Sequence, residues 1–318
     1  MEIKIKPFVV TITLNPALDK TIILDQLKIG NKNYIKNLTT NPGGNGINIA
    51  KTLKEFDIDS VVTGFNAGEN GEILLDLMYK EKIDMQFMEI PGETKINLKI
   101  IEWGKNSITE INEHGFYVSY DDVNKFMMKL SKLLEKANFL VLSGNLPLGI
   151  SDDIYFDIIN MANKKKIKTI LNAEGSAFNN GIKASPYSIK LNTSKLEILC
   201  GRRFFKMKDI IKSVKNIMKR NNIKIVIMSM YKVGVLIINE DKIIKTKTLP
   251  IIPVSNDAKS DSMIAAFIYS IFNDCSLEET AKIITSAEII TALKSGSRIC
   301  TKKEVIEFND HVEIERIL

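Results

Sequence analysis

Histidine and cysteine are scarce in this chain. Its 318 residues include two histidines, His114 and His311, and three cysteines, Cys200, Cys275 and Cys300, set far apart. Two histidines leave little room for chemistry built on histidine pairs. The cysteine spacing argues against a disulfide framework or a zinc cluster and points to a reducing compartment. No apolar run approaches the roughly 20 residues that a bilayer-spanning helix needs. The opening stretch MEIKIKPFVVTITL has no small-residue cleavage site and reads as a first strand, so a cytoplasmic protein without a membrane partner is expected. Charge of one sign is also missing in bulk: 44 basic against 38 acidic residues give a net charge of +6. The densest basic run, NKKKIK (163–168), reads as a solvated helix end whose lysines complement the helix dipole. No nucleic-acid partner is expected, and the mild positive field suits small acidic molecules.

What the chain does have is a core. Apolar residues make up 45% and charged residues 26%, the balance of a globular domain. FVVTITL (8–14), SVVTGF (60–65), FLVLSG (139–144), KTILNA (168–173), YSIKLN (187–192) and IVIMSM (225–230) read as buried strands. Amphipathic helices are expected over 46–56, 70–82, 121–136, 151–165, 193–200 and 207–221. Strands alternating with helices specify a mostly parallel sheet covered on its faces. Ligands in such sheets bind beyond the carboxyl ends of the strands, which directs attention to LSGN, LNAE, KLN and SMY. Two stretches, 20–40 and 94–113, read as hairpins with no helix between their strands. They are expected to form a small separate sheet, a lid over the strand ends. With no repeat or linker in view, one domain over 1–318 carrying this lid is the expectation.

Several polar residues fall at those strand ends. In NPGGNGINIA, Gly43, Gly44 and Gly46 precede a helix, either as plain turn residues or so that a backbone can approach a ligand. Asp19, just after TLNPAL, is either an Asx-turn acid or an acceptor of sugar hydroxyls. Ser143 ends one strand and Asn192 another. NDAKSDSM (256–263) leads into the apolar helical run IAAFIYSIF, with Asp261 at the junction.

Taken together, TLNPALDKT, GGNGINIA, TGFNAGENGE, ETKINLKI, TEINEHG, LSGNLPLGI and DSM, in this order, resemble the PfkB (ribokinase-like) family of sugar kinases. The subgroup most resembled is that of 1-phosphofructokinases and tagatose-6-phosphate kinases. The resemblance implies an α/β fold, a three-layer α/β/α core with a β-sheet lid, and transfer of the ATP γ-phosphate to a sugar-phosphate hydroxyl, with magnesium held mainly by phosphates and water. By motif match, Asp19, Gly43, Gly44, Asn48, Lys95 and Asn97 hold the sugar, Ser143 lies near its phosphate and Asp261 is the general base. Asn192, Ser229, Gly234, Ala258, Lys259 and Ser260 fall on the nucleotide side. A homodimer joined through the lid sheets is expected, since an exposed apolar sheet face seeks a partner.

The chain departs from that pattern mainly on the donor side. The family's Gly-Ala-Gly-Asp appears as Ala258-Lys259-Ser260-Asp261, which keeps the acid and loses both glycines. Lys259 either reaches a phosphate oxygen or points to solvent. In NTSK, Lys195 stands where the family has an acid that organises magnesium. In SMYKVG, Ser229 and Gly234 remain while Tyr231 replaces a glycine. On the sugar side Asn45 replaces a lysine, and Lys95 replaces an arginine and so lacks its bidentate fork. Two readings therefore stand: an ATP-dependent kinase of a phosphorylated ketohexose, with fructose-1-phosphate ahead of tagatose-6-phosphate, or a non-catalytic descendant that binds a sugar phosphate as a sensor or regulatory partner.

Overall fold

The computed structural model describes residues 8–104, 107–230, 234–247, 251, 253–255, 257–294 and 298–317. The chain opens with β1 (Phe8–Thr13), β2 (Ala17–Leu24), β3 (Asn37–Gly43), α1 (Asn45–Glu55), β4 (Asp59–Asn66), α2 (Gly68–Lys80) and β5 (Met85–Glu89). Next come β6 (Lys95–Glu102), β7 (Ser107–Asn112), α3 (Tyr120–Leu133), β8 (Phe139–Gly144), α4 (Ile154–Lys164), β9 (Lys168–Ala173) and α5 (Gly175–Gly181). The second half holds β10 (Ser188–Asn192), α6 (Thr193–Cys200), α7 (Met207–Arg220), β11 (Ile225–Met230), β12 (Gly234–Ile238) and β13 (Ile243–Thr246). It closes with α8 (Lys259–Phe272), α9 (Leu277–Ala292), α10 (Lys302–Phe308) and β14 (Ile314–Arg316).

Among the described residues the large sheet has ten strands in the order β14-β13-β12-β11-β10-β9-β8-β1-β4-β5. From β5 to β11 every pairing is parallel, and β12, β13 and β14 continue antiparallel at one edge. The strands are buried on both faces because their residues alternate between two cores. Leu140 and Leu142 of β8 join the core under α3, α4, α5, α6 and α7. Phe139 and Val141 of the same strand join the core under α1, α8 and α9. Period-two alternation of apolar residues on both faces is what a strand covered by helices on both sides requires. The result is the three-layer α/β/α arrangement.

The hairpins form a separate four-stranded sheet in the order β3-β2-β6-β7. Its strands reach beyond 20–40: Ala17 pairs with Gly43 across β2 and β3, and with Lys95 across β2 and β6. Asp19, Gly43, Lys95 and Asn97 therefore lie on the lid sheet itself rather than on the sheet below. The expected elements otherwise differ from the observed ones mainly at their ends. Helix α4 starts at Ile154 because Ser151 caps a turn over Asp153, with Ile154 N donating to Ser151 O at 3.1 Å. The end of the helix expected over 121–136 narrows to a 3-10 turn at Leu134–Lys136. The antiparallel edge and the strand β5 were not expected. They carry no helix-strand alternation to mark them. Among the described residues no helix is long and apolar enough to cross a membrane.

Candidate functional site

A cavity of about 730 Å³ opens where the carboxyl ends of β1, β8, β9 and β10 face the lid. Helix α8 points its first turn into it. Of the residues expected at a site, Asp19, Gly44, Asn48, Lys95, Asn97, Ser143, Asn192, Ala258, Lys259, Ser260 and Asp261 line this one cavity. Gly43, Ser229 and Gly234 do not.

Asp261 is the most enclosed ionisable group there, 2% exposed and in the first turn of α8. Two amides from α1 hold it: Asn45 Nδ2 donates to Oδ1 at 3.0 Å and Asn48 Nδ2 to Oδ2 at 3.1 Å. Burial pushes its carboxyl up to about 6, and the two amides together with the Lys190 and Lys195 ammonium groups hold it from rising further. A carboxylate titrating there is ionised at neutral pH yet basic enough to accept a hydroxyl proton.

The lid contributes the opposite wall. Asn97 Nδ2 donates to Asp19 Oδ1 at 2.9 Å. Burial raises the Asp19 carboxyl, partly offset by that hydrogen bond. A Cβ on Gly43 would fall on the Asp19 carboxylate, so only glycine lets β3 approach that side chain so closely. Lys95, 6% exposed, is lowered by burial, and the charge of Asp19 holds it partway back. Thr13, Asn15, Asn48 and Asn97 line the cavity, and their side-chain oxygens are buried with no hydrogen-bond partner among the described residues. Buried polar atoms left unpaired cost stability. Lys99 of the lid pairs with Asp257, just before α8, and lies 3.6 Å from Glu110. This ion pair ties the lid to the segment that carries Asp261.

On the remaining side the charge changes sign. Lys190 lies within β10, 5% exposed, and burial lowers its ammonium to about 8. Lys195 sits one turn into α6, its Nζ donating to Ala173 O at 2.9 Å and lying 3.7 Å from Glu174. Burial lowers Lys195 as well, against the opposing charge of Glu174. The Asn192 oxygen caps α6 by accepting from Lys195 N at 2.7 Å, which leaves only its amide N–H for a ligand. Ser143 Oγ accepts from Asn172 Nδ2 at 3.0 Å, so its hydroxyl is largely used within the protein. Ser229 turns inward, donating to Met263 Sδ at 3.3 Å. Gly234 stands where a Cβ would strike Thr246 O, so it serves strand packing. Tyr231 lies outside the described residues.

Of the two lost glycines only one mattered conformationally. Ala258 takes φ +54, ψ −1 as the residue before α8, a left-handed conformation that costs a side chain roughly 1–2 kcal/mol. Ser260 lies in the helix and needs no such conformation. Sequence reasoning missed Asn15, Asn172, Lys190, Lys99 and Asp257, and it marked Asn45 only as a replacement without its role on Asp261. The signal for Lys190 was present: a lone lysine in YSIKLN, a strand otherwise read as buried.

The family model described as pfkB family carbohydrate kinase matches residues 12–304. The chain belongs to this family of carbohydrate kinases. It is 29% identical to the 1-phosphofructokinase of Escherichia coli strain K12, over 96% of this chain and 98% of that one. It is 30% identical to the 1-phosphofructokinase of Borreliella burgdorferi, again over 96% and 98%. In fold it is similar to the phosphofructokinase-2 of Escherichia coli in complex with fructose-6-phosphate, with a TM-score of 0.87 and 23% identity over 96% of this chain and 99% of that one. The fold is thus the ribokinase-like one that the motifs implied, and the relatives are sugar-phosphate kinases.

Proposed function

We propose that this PfkB kinase transfers the γ-phosphate of ATP to a phosphorylated ketohexose, fructose-1-phosphate first and tagatose-6-phosphate next. The observation that carries the reading is Asp261, buried at a helix N-terminus, clamped on both oxygens and sharing a cavity with the unpaired acceptors of the lid side. Asp19, Asn97, Asn48 and Asn15 accept hydrogen bonds from sugar hydroxyls, and Lys95 meets the sugar's own phosphate. Asp261 takes the proton of the attacking hydroxyl. The first N–H groups of α8 face the charge that develops on the phosphoryl group. Closure of the lid through Lys99 and Asp257 keeps water out.

Magnesium is expected with the nucleotide. Among the described residues no group of three His, Cys, Asp or Glu side chains forms a cation shell, and the neighbours of Asp261 are amides and ammonium groups. A magnesium ion held by protein carboxylates does not fit this donor set, so any such ion travels on the donor's phosphates. The outer lid face, with Leu38 and Ile111 about half exposed and Ile22 and Leu98 between them, pairs with a second copy in the homodimer we propose.

The test is a coupled ADP-release assay over fructose-1-phosphate, fructose-6-phosphate and tagatose-6-phosphate. Fructose-1-phosphate should give the highest kcat/KM. The sensor reading is favoured by one observation, Ala258 strained at φ +54 beside the base. It takes over if a sugar phosphate raises the melting temperature while none of the three releases ADP.

A further inference from the structure

Lys190 is a buried cation on the strand-end side of the cavity. It is 5% exposed, lines the cavity, and among the described residues no hydrogen bond reaches its Nζ. The acid whose charge bears on it most is Glu288, half-buried on α9 and in a hydrogen bond with Ser229. A buried ammonium group needs a counter-charge or hydrogen-bond acceptors, and the cavity is where they can arrive. Lys195 is independently aimed at the same place. It is 17% exposed, and its Nζ lies 5.8 Å from the centre of the Phe178 ring and 2.9 Å from Ala173 O at the end of β9. Held in this way, it gives up little further side-chain freedom on meeting an anion. The acid closest to Lys195, Glu174, is 73% exposed at the rim, and Asp257 is engaged by Lys99. The donor side of the cavity is therefore a positive concavity around one buried carboxylate.

We propose that Lys190 and Lys195 form a direct ammonium seat for the donor's polyphosphate, so that this chain binds it without help from a divalent cation. The inference rests on the kinase reading above and deepens it. It names the ligand class as a linear polyphosphate, alone or on a nucleoside, and Lys195 as the residue that sets the metal dependence of binding. The oxygens of such a chain can meet both ammonium groups, Lys190 with three N–H donors and Lys195 with the two that Ala173 O leaves.

The test is calorimetric titration of the purified protein with inorganic tripolyphosphate, once in EDTA and once in excess magnesium. Wild type should bind no more weakly in EDTA than in magnesium. Lys195→Ala should lose about 10-fold or more in EDTA, the expected size of a lost charge-assisted contact. Lys195→Gln should lose nearly as much, which separates loss of charge from loss of bulk. Lys195→Glu should bind only when magnesium is present. A retained melting shift with fructose-1-phosphate certifies that each variant is folded. Wild-type binding abolished by EDTA, or wild-type affinity in both Lys195→Ala and Lys195→Gln, overturns the proposal. Lys195-dependent binding without sugar-dependent ADP release overturns the kinase reading and leaves this seat standing. ADP release together with binding that requires magnesium does the reverse.

Discussion

The two halves of the cavity solve opposite problems. The half under the lid presents acceptors: Asp19 and Asn97 on the lid sheet, with Asn15 and Asn48 on the elements beneath it. The strand-end half presents donors: ammonium groups on Lys190 and Lys195 and the first turn of α8. A sugar is rich in O–H donors and a polyphosphate in oxygen acceptors, so each half matches one reactant. Asp261 stands between them, clamped by the Asn45 and Asn48 amides of α1. The difference teaches that the departures of this chain from its family are concentrated on one chemistry. The half that reads hydroxyls keeps its polar residues, while the half that meets phosphate has exchanged acid and glycine for lysine and alanine.

The largest expected effect comes from removing what the halves share. Asp261→Asn should lower kcat by about 10²–10⁴-fold while the melting shift with fructose-1-phosphate remains, since the sugar contacts lie elsewhere. Steady-state kinetics beside a thermal melt checks both parts. An effect on one half only should follow Asp19→Ala. It should weaken sugar-phosphate affinity by about 10- to 100-fold and leave tripolyphosphate binding unchanged, as two calorimetric titrations will show.

A third way to sharpen the comparison is pH. Asp261 must be ionised to accept a proton and titrates near 6, so kcat/KM should fall as pH drops through about 6. Lys190 must be charged to hold phosphate and titrates near 8, so the rate should fall again as pH rises through about 8. Lys190→Met removes a cation that holds the Asp261 carboxyl down. Its acid limb should move to higher pH and its alkaline limb should disappear from the pH–rate profile. The smallest effect is conformational. Ala258→Gly should raise stability by about 1 kcal/mol, because glycine takes the left-handed conformation without strain. Ser260→Gly should not, because Ser260 is helical. Chemical denaturation of the two variants decides this.

Much of the core was legible in the sequence because its signals are periodic. Strands such as Phe139–Gly144 and Lys168–Ala173 fell where apolar runs and helix alternation put them. The antiparallel edge was not legible, since a strand such as Ile243–Thr246 offers four residues and no helix to set a rhythm. At the site, residues carried by a motif, such as Asp19 in β2 and Asn48 in α1, line the cavity. Asn45 was noticed only as a replacement, because nothing local says that its amide reaches a carboxylate 216 positions away. Lys99 and Asp257 escaped for the same reason, being 158 positions apart. The strain at Ala258 was foreseen as a condition, but which of two positions bore it required the backbone angles.

The central claim is that Asp261 works as a base between the two halves. Its most direct test is sugar-dependent ADP release with saturating ATP and fructose-1-phosphate, followed from about pH 5 to about pH 9 in wild type and in Asp261→Asn. The account predicts a wild-type rate that rises with a midpoint near 6 and a variant rate at background throughout. A wild-type rate at background, or a variant that keeps the wild-type rate and pH midpoint, contradicts it.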